Sequence, residues 1–311
     1  MLHRFVLTWF MVTALAASAP PAHASGPLHG PQTNELEKDA DALPSAPPSN
    51  VRLVRDEPYG ADEKQRMDVY LPQQSKNAPV IFMVHGGAWR MGDKAHSKVV
   101  HNKVARWVAR GFVFVSVNYR LLPQAGPLEQ AQDVARALAA AQSKAASWGA
   151  DPTKFILMGH SAGAHLVALL NAAPEAACAL GAKPWLGTVS LDSAAYDVVR
   201  IMQSTHPRLY DRAFGKDASQ WRVASPAHVL KPTAKPLLAV CSKPRSDNSC
   251  GQATEFVRKL TDLGVPAHVL EQDLSHAQIN GDLGTPGSYT DAVEAFMGEL
   301  DASVRQTLHA R

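Results

Sequence analysis

A single serine sits where its hydroxyl can do chemistry. Phe155-Ile156-Leu157-Met158 runs into Gly159-His160-Ser161-Ala162-Gly163, and an apolar-periodic segment follows at once. The pattern predicts a buried strand, a tight turn and a helix, with Ser161 at the apex of the turn. A strained strand-to-helix turn of the form G-x-S-x-G lifts a hydroxyl above the sheet. Gly159 and Gly163 suit it because a Cβ at either position would crowd the neighbouring backbone. A serine hydroxyl is a poor nucleophile until a base takes its proton. The chemistry therefore needs a base, an acid to orient it, and donors for a developing oxyanion.

Two backbone features can supply the donors. Pro79 to Val84 is a continuous apolar run that ends in His85-Gly86-Gly87-Ala88-Trp89-Arg90. Consecutive glycines let N–H groups turn toward a small anion. The N–H of Ala162 opens the helix after Ser161 and points the same way. Gly86, Gly87 and Ala162 are thus the expected oxyanion hole. The sequence holds 13 histidines, so position must choose among them. His268 lies within a strand pattern, His228 in an irregular stretch, His96 and His101 around a helix, and His160 beside Ser161. Only His276, in Leu274-Ser275-His276-Ala277, follows the final strand in a loop, and it is the expected base. The acid is expected after the preceding strand. There Asp247 is the one carboxylate in Lys243-Pro244-Arg245-Ser246-Asp247-Asn248. Its task would be to accept the imidazole N–H and fix the tautomer. Asp192, at the end of the strand before that, is the second candidate.

The elements that must position these groups alternate. Residues 51–59 and 65–71 predict an antiparallel pair at the sheet edge. Interior strands are expected at 79–84, 112–117, 155–158, 185–191, 236–241 and 265–270. Helices are expected at 97–110, 128–148, 162–173, 252–263 and 287–308, from apolar residues at helical spacing. The pattern predicts an α/β fold with a mostly parallel sheet, helices on both faces and right-handed crossovers. In such sheets ligands sit beyond the carboxyl ends of the strands. The stretch 192–232 breaks the rhythm and reads as a small cap excursion within a domain spanning 51–311. Its aromatics Tyr196, Tyr210, Phe214 and Trp221 lie among polar residues. With Trp89, the residues Tyr196 and Trp221 are the candidates for an acyl or aryl pocket.

Composition excludes other classes. The 311 residues are 46% apolar and 19% charged, with a net charge of +3. No basic run, interleaved aromatics or P-loop pattern argues for nucleic acid. Residues 1–24 combine Arg4, a short apolar core and Ala22-His23-Ala24, the form of a secretory signal. An uncleaved anchor is the alternative. After cleavage no membrane span is expected, and the location would be periplasmic or secreted. Residues 25–50 read as a flexible Pro/Ala-rich leader. Three cysteines lack metal-ligand spacing. Cys241 and Cys250 flank a short loop and can bridge in an oxidising compartment. Cys178 would then be left over as a buried thiol.

His85-Gly86-Gly87-Ala88-Trp89, Gly159-His160-Ser161-Ala162-Gly163 and His276 resemble the α/β-hydrolase superfamily. Within it they look like the esterase branch that includes hormone-sensitive-lipase-like, feruloyl-esterase-like and kynurenine-formamidase-like enzymes. Asp68-Val69-Tyr70-Leu71-Pro72, Asn118-Tyr119-Arg120-Leu121 and Ala224-Ser225-Pro226 are similar to stretches of the same branch. The resemblance covers residues 51–311. It implies an eight-stranded sheet, Ser161 as nucleophile, His276 as base, the Gly86, Gly87 and Ala162 amides as oxyanion donors, and neither metal nor organic cofactor. The partner it implies is a small-molecule ester. An aryl formamide or other amide handled by the same triad is the alternative, and a non-catalytic binding module the third. One departure is the strand before the acid loop, which leads into Gly in the family and into Cys241-Ser242 here. Oligomeric state is not indicated.

Overall fold

The computed structural model describes residues 48–309. The expected signal segment and all of the expected leader but residues 48–50 lie outside the described residues. Eight strands form one sheet in the order β1-β2-β4-β3-β5-β6-β7-β8. They are β1 (Val51–Pro58), β2 (Arg66–Pro72), β3 (Ala78–Val84), β4 (Val113–Val117), β5 (Ala150–His160), β6 (Gly187–Leu191), β7 (Leu237–Ser242) and β8 (Ala267–Gln272). β2 runs antiparallel to both β1 and β4, and every other pairing is parallel.

The apolar runs explain the order. All seven residues of β3 and all five of β4 are buried, as strands covered on both faces require. Alternation then sorts their side chains to two cores. Val80, Phe82 and Val84 pack with Val134 and Leu138 of α2 (Pro127–Lys144). Ile81 and Met83 pack on the other face with Val99 and Val100 of α1 (Ser97–Lys103) and with Val293. The register pairs Val84 with Gly159 and Gly159 with Ser190. β3, β5 and β6 therefore end side by side, and the residues that follow them meet along one edge.

Several elements differ from the periodic reading. The helix expected at 97–110 widens into a π-turn at Val104–Val108 after α1. The one expected at 128–148 closes as a 3-10 turn at Ala145–Trp148, with Gly149 left-handed at φ 71°. Next come α3 (Ala162–Ala172) and a short α4 (Pro174–Cys178). The cap excursion is four short helices, α5 (Val198–Met202), α6 (Arg208–Phe214), α7 (Ala218–Val223) and α8 (Pro226–Val229). Ser225 ties it together, its Oγ accepting from the Val198 amide at 2.8 Å and donating to the Trp221 carbonyl at 2.7 Å. α9 (Ser249–Asp262) precedes β8. The segment with His276 is not a loop but the start of α10 (His276–Gly281). The last expected helix is two, α11 (Ser288–Leu300) and α12 (Ala302–His309). Asp301 breaks it with an extended backbone, and its carboxylate accepts from the amides of Ser303 and Val304, an N-cap that starts a new helix.

Cys241 and Cys250 are bridged, with their Cα atoms 5.1 Å apart. Cys178 is a free thiol, and it is exposed rather than buried because it closes the short surface helix α4. No helix among the described residues is long and apolar enough to cross a membrane.

A close backbone contact lies under Ser161. A Cβ at Gly163 would sit 2.3 Å from the Val84 carbonyl oxygen and 2.4 Å from that of His85. Both obstacles are backbone and cannot rotate away. Gly163→Ala is expected to cost ~1–3 kcal/mol as an overpacked site, read as a lower midpoint in urea unfolding; an unchanged midpoint would show that the two strands can separate freely.

Candidate active site

Ser161 follows β5 at φ 54° and ψ −117°, a left-handed backbone that a side chain adopts only under constraint. Its amide donates to the Leu191 carbonyl at 2.9 Å, and its carbonyl accepts from His165. The turn is thus tied to the end of β6 on one side and to α3 on the other. The loop after β3 closes over it. A Cβ at Gly86 would lie 3.0 Å from Ser161 Cβ and 2.9 Å from the His160 carbonyl oxygen. Gly87 has φ +114°, and a Cβ there would meet the Met91 carbonyl oxygen at 2.2 Å. Its own carbonyl accepts from Arg90 and Met91, which folds the loop back. Among the described residues the Gly86 and Gly87 amides give no bond to another backbone carbonyl. The Ala162 amide is the first of an 11-residue helix, where N–H groups lack intrahelical partners.

His276 reaches the same spot from the far side of the sheet. Ser275 caps α10, its Oγ accepting from the Gln278 amide while Gln278 Oε1 accepts from the Ser275 amide at 3.0 Å. This reciprocal cap fixes the first turn and so aims the imidazole. Ser161, His276, His160, His85, Gly86 and Gly87 line one small cavity, with space of about 30 Å³ inside it.

The carboxylate on this imidazole is Asp192, not Asp247. Asp192 Oδ2 is 2.5 Å from His276 Nδ1. The acid leaves the end of β6 at φ 56°, one residue after the carbonyl that holds the Ser161 amide. Asp247 is taken by Arg245, whose Nε lies 3.0 Å from its Oδ1 and whose Nη2 meets its Oδ2. Arg245 Nη1 then reaches the Asp192 carbonyl at 2.7 Å, Asp192 Oδ2 at 2.9 Å and His276 Nδ1 at 3.0 Å. The sequence order made Asp247 the expected acid, but the neighbouring guanidinium claims it first.

Donor counting fixes the tautomer. Arg245 Nη1 carries two protons, and the two Asp192 oxygens are its nearer acceptors. Nothing remains for His276 Nδ1 to accept, so its own proton goes to Asp192 Oδ2. Nε2 is then a bare lone pair, buried and without a hydrogen-bond partner among the described residues. Burial pushes the Asp192 carboxyl up, but the Arg245 guanidinium, the His276 bond and the Ser242 amide outweigh it and hold the carboxyl well below the usual range. The acid is ionised throughout the neutral range.

The other histidines here are neutral. His160 donates Nε2–H to the His276 carbonyl at 3.0 Å, with the two rings 4.5 Å apart. Burial depresses its pKa well below the ordinary value. His85 donates Nδ1–H to the Gly86 carbonyl at 2.7 Å and stacks on Tyr119. Sequence reasoning set His160 aside, yet its place beside Ser161 at the end of β5 was the signal that it would pack on the base. Arg245 was equally visible, two residues before Asp247.

The three expected pocket residues do not line this cavity. Trp89 is 3% exposed and packed in the core, its Nε1–H on His165 Nδ1 at 3.2 Å and its ring against Phe214. Tyr196 is buried, stacked on Phe256 and hydrogen-bonded to Ser190 Oγ at 2.7 Å. Trp221 donates to the carbonyls of Phe214 and Gly215 inside the excursion. Trp89 and Tyr196 pin the excursion to the sheet instead, and Trp221 ties the excursion's own helices together. Among the described residues no group of His, Cys, Asp and Glu could hold a metal ion.

The strand order, the backbone-strained serine after β5 and the histidine after β8 define the α/β-hydrolase fold. The BD-FAE family model matches residues 67–182, which carry the Gly86-Gly87 loop and the Ser161 turn. The chain is 30% identical over 171 residues to a probable isoprenylcysteine alpha-carbonyl methylesterase, ICMEL1, of Oryza sativa subsp. japonica, covering 52% of this chain and 40% of that one. It is 26% identical to Esterase LipQ of Mycobacterium tuberculosis, covering 83% of this chain and 66% of that one. The chain spans 28% and 40% of the lengths of two rice methylesterases that it matches. Among solved structures it is similar to a truncated carbohydrate esterase from gut microbiota, with a TM-score of 0.68 at 18% identity over 82% of this chain and 99% of that one. Esterase B from Lactobacillus Rhamnosis (HN001) aligns with a TM-score of 0.67 at 18% identity, over 88% of this chain and 92% of that one.

The buried histidines give the fold an acid limit. Burial lowers His85 and His165 to about 4 from an ordinary 6.5. Between those values the unfolded chain takes up protons that the folded chain refuses, so stability falls as pH drops from 6.5 to 4 and is fully present above 6.5. Each group adds a slope of up to ~1.4 kcal/mol per pH unit. His165→Leu is expected to flatten the slope of unfolding free energy between pH 6.5 and 4; an unaltered slope in urea titrations at both pH values would refute the assignment.

Proposed function

We propose that the protein is an exported serine hydrolase of small carboxylic esters. The observation that carries this reading is the state of His276. One ring nitrogen is held by an ionised, buried Asp192, and the other has no partner among the described residues, on the cavity that Ser161 lines. The similarity to esterases and methylesterases supports it. So does the similarity to Esterase B, a structure of which is inhibited with a tributyrin phosphonate. The basic, apolar and small-residue succession of residues 1–24 supports export.

In this reading Ser161 Oγ attacks the ester carbonyl as its proton passes to His276 Nε2. Asp192 stabilises the imidazolium and keeps Nδ1 protonated. The carbonyl oxygen, now negative, is held by the amides of Gly86, Gly87 and Ala162; one such donor is worth about 2.7–4 kcal/mol of barrier. His276 gives the proton to the leaving alkoxide, and the alcohol departs. Water then loses a proton to His276 and attacks the acyl-serine, which returns Ser161 with its hydroxyl and releases the acid. Neutral His85 and His160 beside the base add no charge that would oppose the imidazolium.

The cavity indicates the acyl group. The space of about 30 Å³ beside Ser161 favours a short acyl group such as acetyl. Purified protein is expected to hydrolyse p-nitrophenyl acetate far faster than the octanoate. Ser161→Ala is expected to abolish that turnover, and Asp192→Asn to lower kcat by ~10³–10⁴-fold through the wrong tautomer. Full turnover by Ser161→Ala would overturn the proposal; a preference for octanoate would overturn the acyl assignment alone.

A further inference from the structure

The loop after β7 brings no carboxylate to His276, but it brings a cation. Arg245 is largely buried, with its side chain 12% exposed, and its guanidinium is divided between two acids. One end grips Asp247 through Nε and Nη2, and the other grips Asp192 through Nη1. The same Nη1 stands 3.0 Å from His276 Nδ1, a nitrogen that already carries a proton in the tautomer deduced above. That contact is donor against donor. It gains nothing as a hydrogen bond, and it sets a positive charge beside the ring that must become positive. Asp247 lies on the opposite side of the guanidinium and offsets that charge.

We propose that Arg245, with Asp247 as its counter-charge, is a positioning residue that locks Asp192 onto His276 and sets the pH at which the base becomes available. The inference rests on the ester-hydrolase reading for what the base does.

Geometry supports it from three sides. The loop is clamped by the Cys241–Cys250 bridge and by Ser249 Oγ, which donates to the Ser242 carbonyl at 3.1 Å. Asp192 has its other oxygen on the Ser242 amide at 2.9 Å, so the acid is held by β7 as well as by its own strand. Arg245 also occupies the Asp192 carbonyl, which fixes the left-handed backbone of the acid. The remaining titratable groups around the ring do not replace this control. His160, from the end of β5, and His85, from the loop after β3, are neutral through burial. Tyr210 from α6 and Tyr289 from α11 are pushed up by burial and stay neutral. Asp93 and His96 line the opposite wall of the cavity. Lys103 is bonded to the Lys98 carbonyl and to Asn280, one helical turn along α10 from His276.

Removing either member should move the base in opposite directions. Arg245→Met deletes the cation, so the imidazolium is easier to form. The acid limb of kcat/KM against pH is expected to rise by about one pH unit, the scale of one unit charge at ~4 Å in a solvent-like dielectric. Asp247→Asn leaves the cation without its offset, and the same limb is expected to fall. A purely structural role for the loop would lower activity in both variants without shifting the limbs apart. Ring NMR of His276 in the Ser161→Ala chain, with and without each second change, reads the same titration with no turnover. Opposite shifts in the ring titration support the inference even if the protein hydrolyses no ester, which would count against the proposed function alone. Titrations that coincide, or that move together, overturn it. Should Arg245→Met fail to fold, Asp247→Asn decides: a downward shift supports the inference, and none overturns it.

Discussion

Three pieces of backbone crowd one point at the edge of the sheet, and the site depends on their being able to do so. The end of β3, the end of β5 and the start of α3 approach so closely that a methyl group at Gly86, Gly159 or Gly163 would strike main-chain atoms under 3.0 Å away. That closeness forces Ser161 into a left-handed backbone, a state that costs on the order of 1–3 kcal/mol and persists only where the surroundings over-determine it. Here they do: the Ser161 amide is fixed to Leu191, its carbonyl accepts from His165, and helix α3 is buried along its whole length. The strain places a hydroxyl on the cavity, and among the described residues the Gly86 and Gly87 amides have no backbone carbonyl partner. The same crowding therefore brings a hydroxyl and two such amides to one place.

The acid shows how charge is handled once position is settled. A carboxylate at the end of β6 is fully buried beneath the base, and a buried charge needs partners. Asp192 has three: the Ser242 amide, His276 and Arg245. Arg245 would itself be a buried excess charge without Asp247. The cluster of two acids and one guanidinium carries a net negative charge, which is what an imidazolium forming above it requires. The carboxylate of the β7 loop, Asp247, is thus the counter-ion of Arg245, the partner of Asp192.

Much of this was legible from residue order, and the part that was not has a physical reason. Continuous apolar runs mark strands buried on both faces, so β3, β4 and the inner half of β5 could be read directly. Gly-x-Ser-x-Gly and His-Gly-Gly mark close backbone approach, which only glycine permits. His276 could be singled out by following the last strand. The choice between Asp192 and Asp247 was different in kind. It depends on which acid a guanidinium reaches first, a matter of a few ångströms across three strands, and local sequence carries no record of it. Arg245 beside Asp247 was a hint, since adjacent opposite charges tend to satisfy each other. The aromatics of the excursion misled for a related reason. A cap must be fastened to its sheet, and Trp89 and Tyr196 do that from the core, so large side chains near a site measure packing as often as they measure a pocket.

Several histidines stand close together here, and under the proposed reading only one of them acts as base. His85 resembles His276 in having a buried Nε2 on the same cavity with no hydrogen-bond partner among the described residues. The difference is at the other nitrogen. His85 Nδ1 faces a neutral carbonyl, that of Gly86, and burial outweighs both that bond and the pull of Asp93, so the ring is held neutral. His276 Nδ1 faces a carboxylate held ionised by its own partners. What distinguishes the two rings is what stands behind them rather than what stands in front. Neutral neighbours then complete the choice, because His85 and His160 fill the space around the base with polar surface and no competing charge.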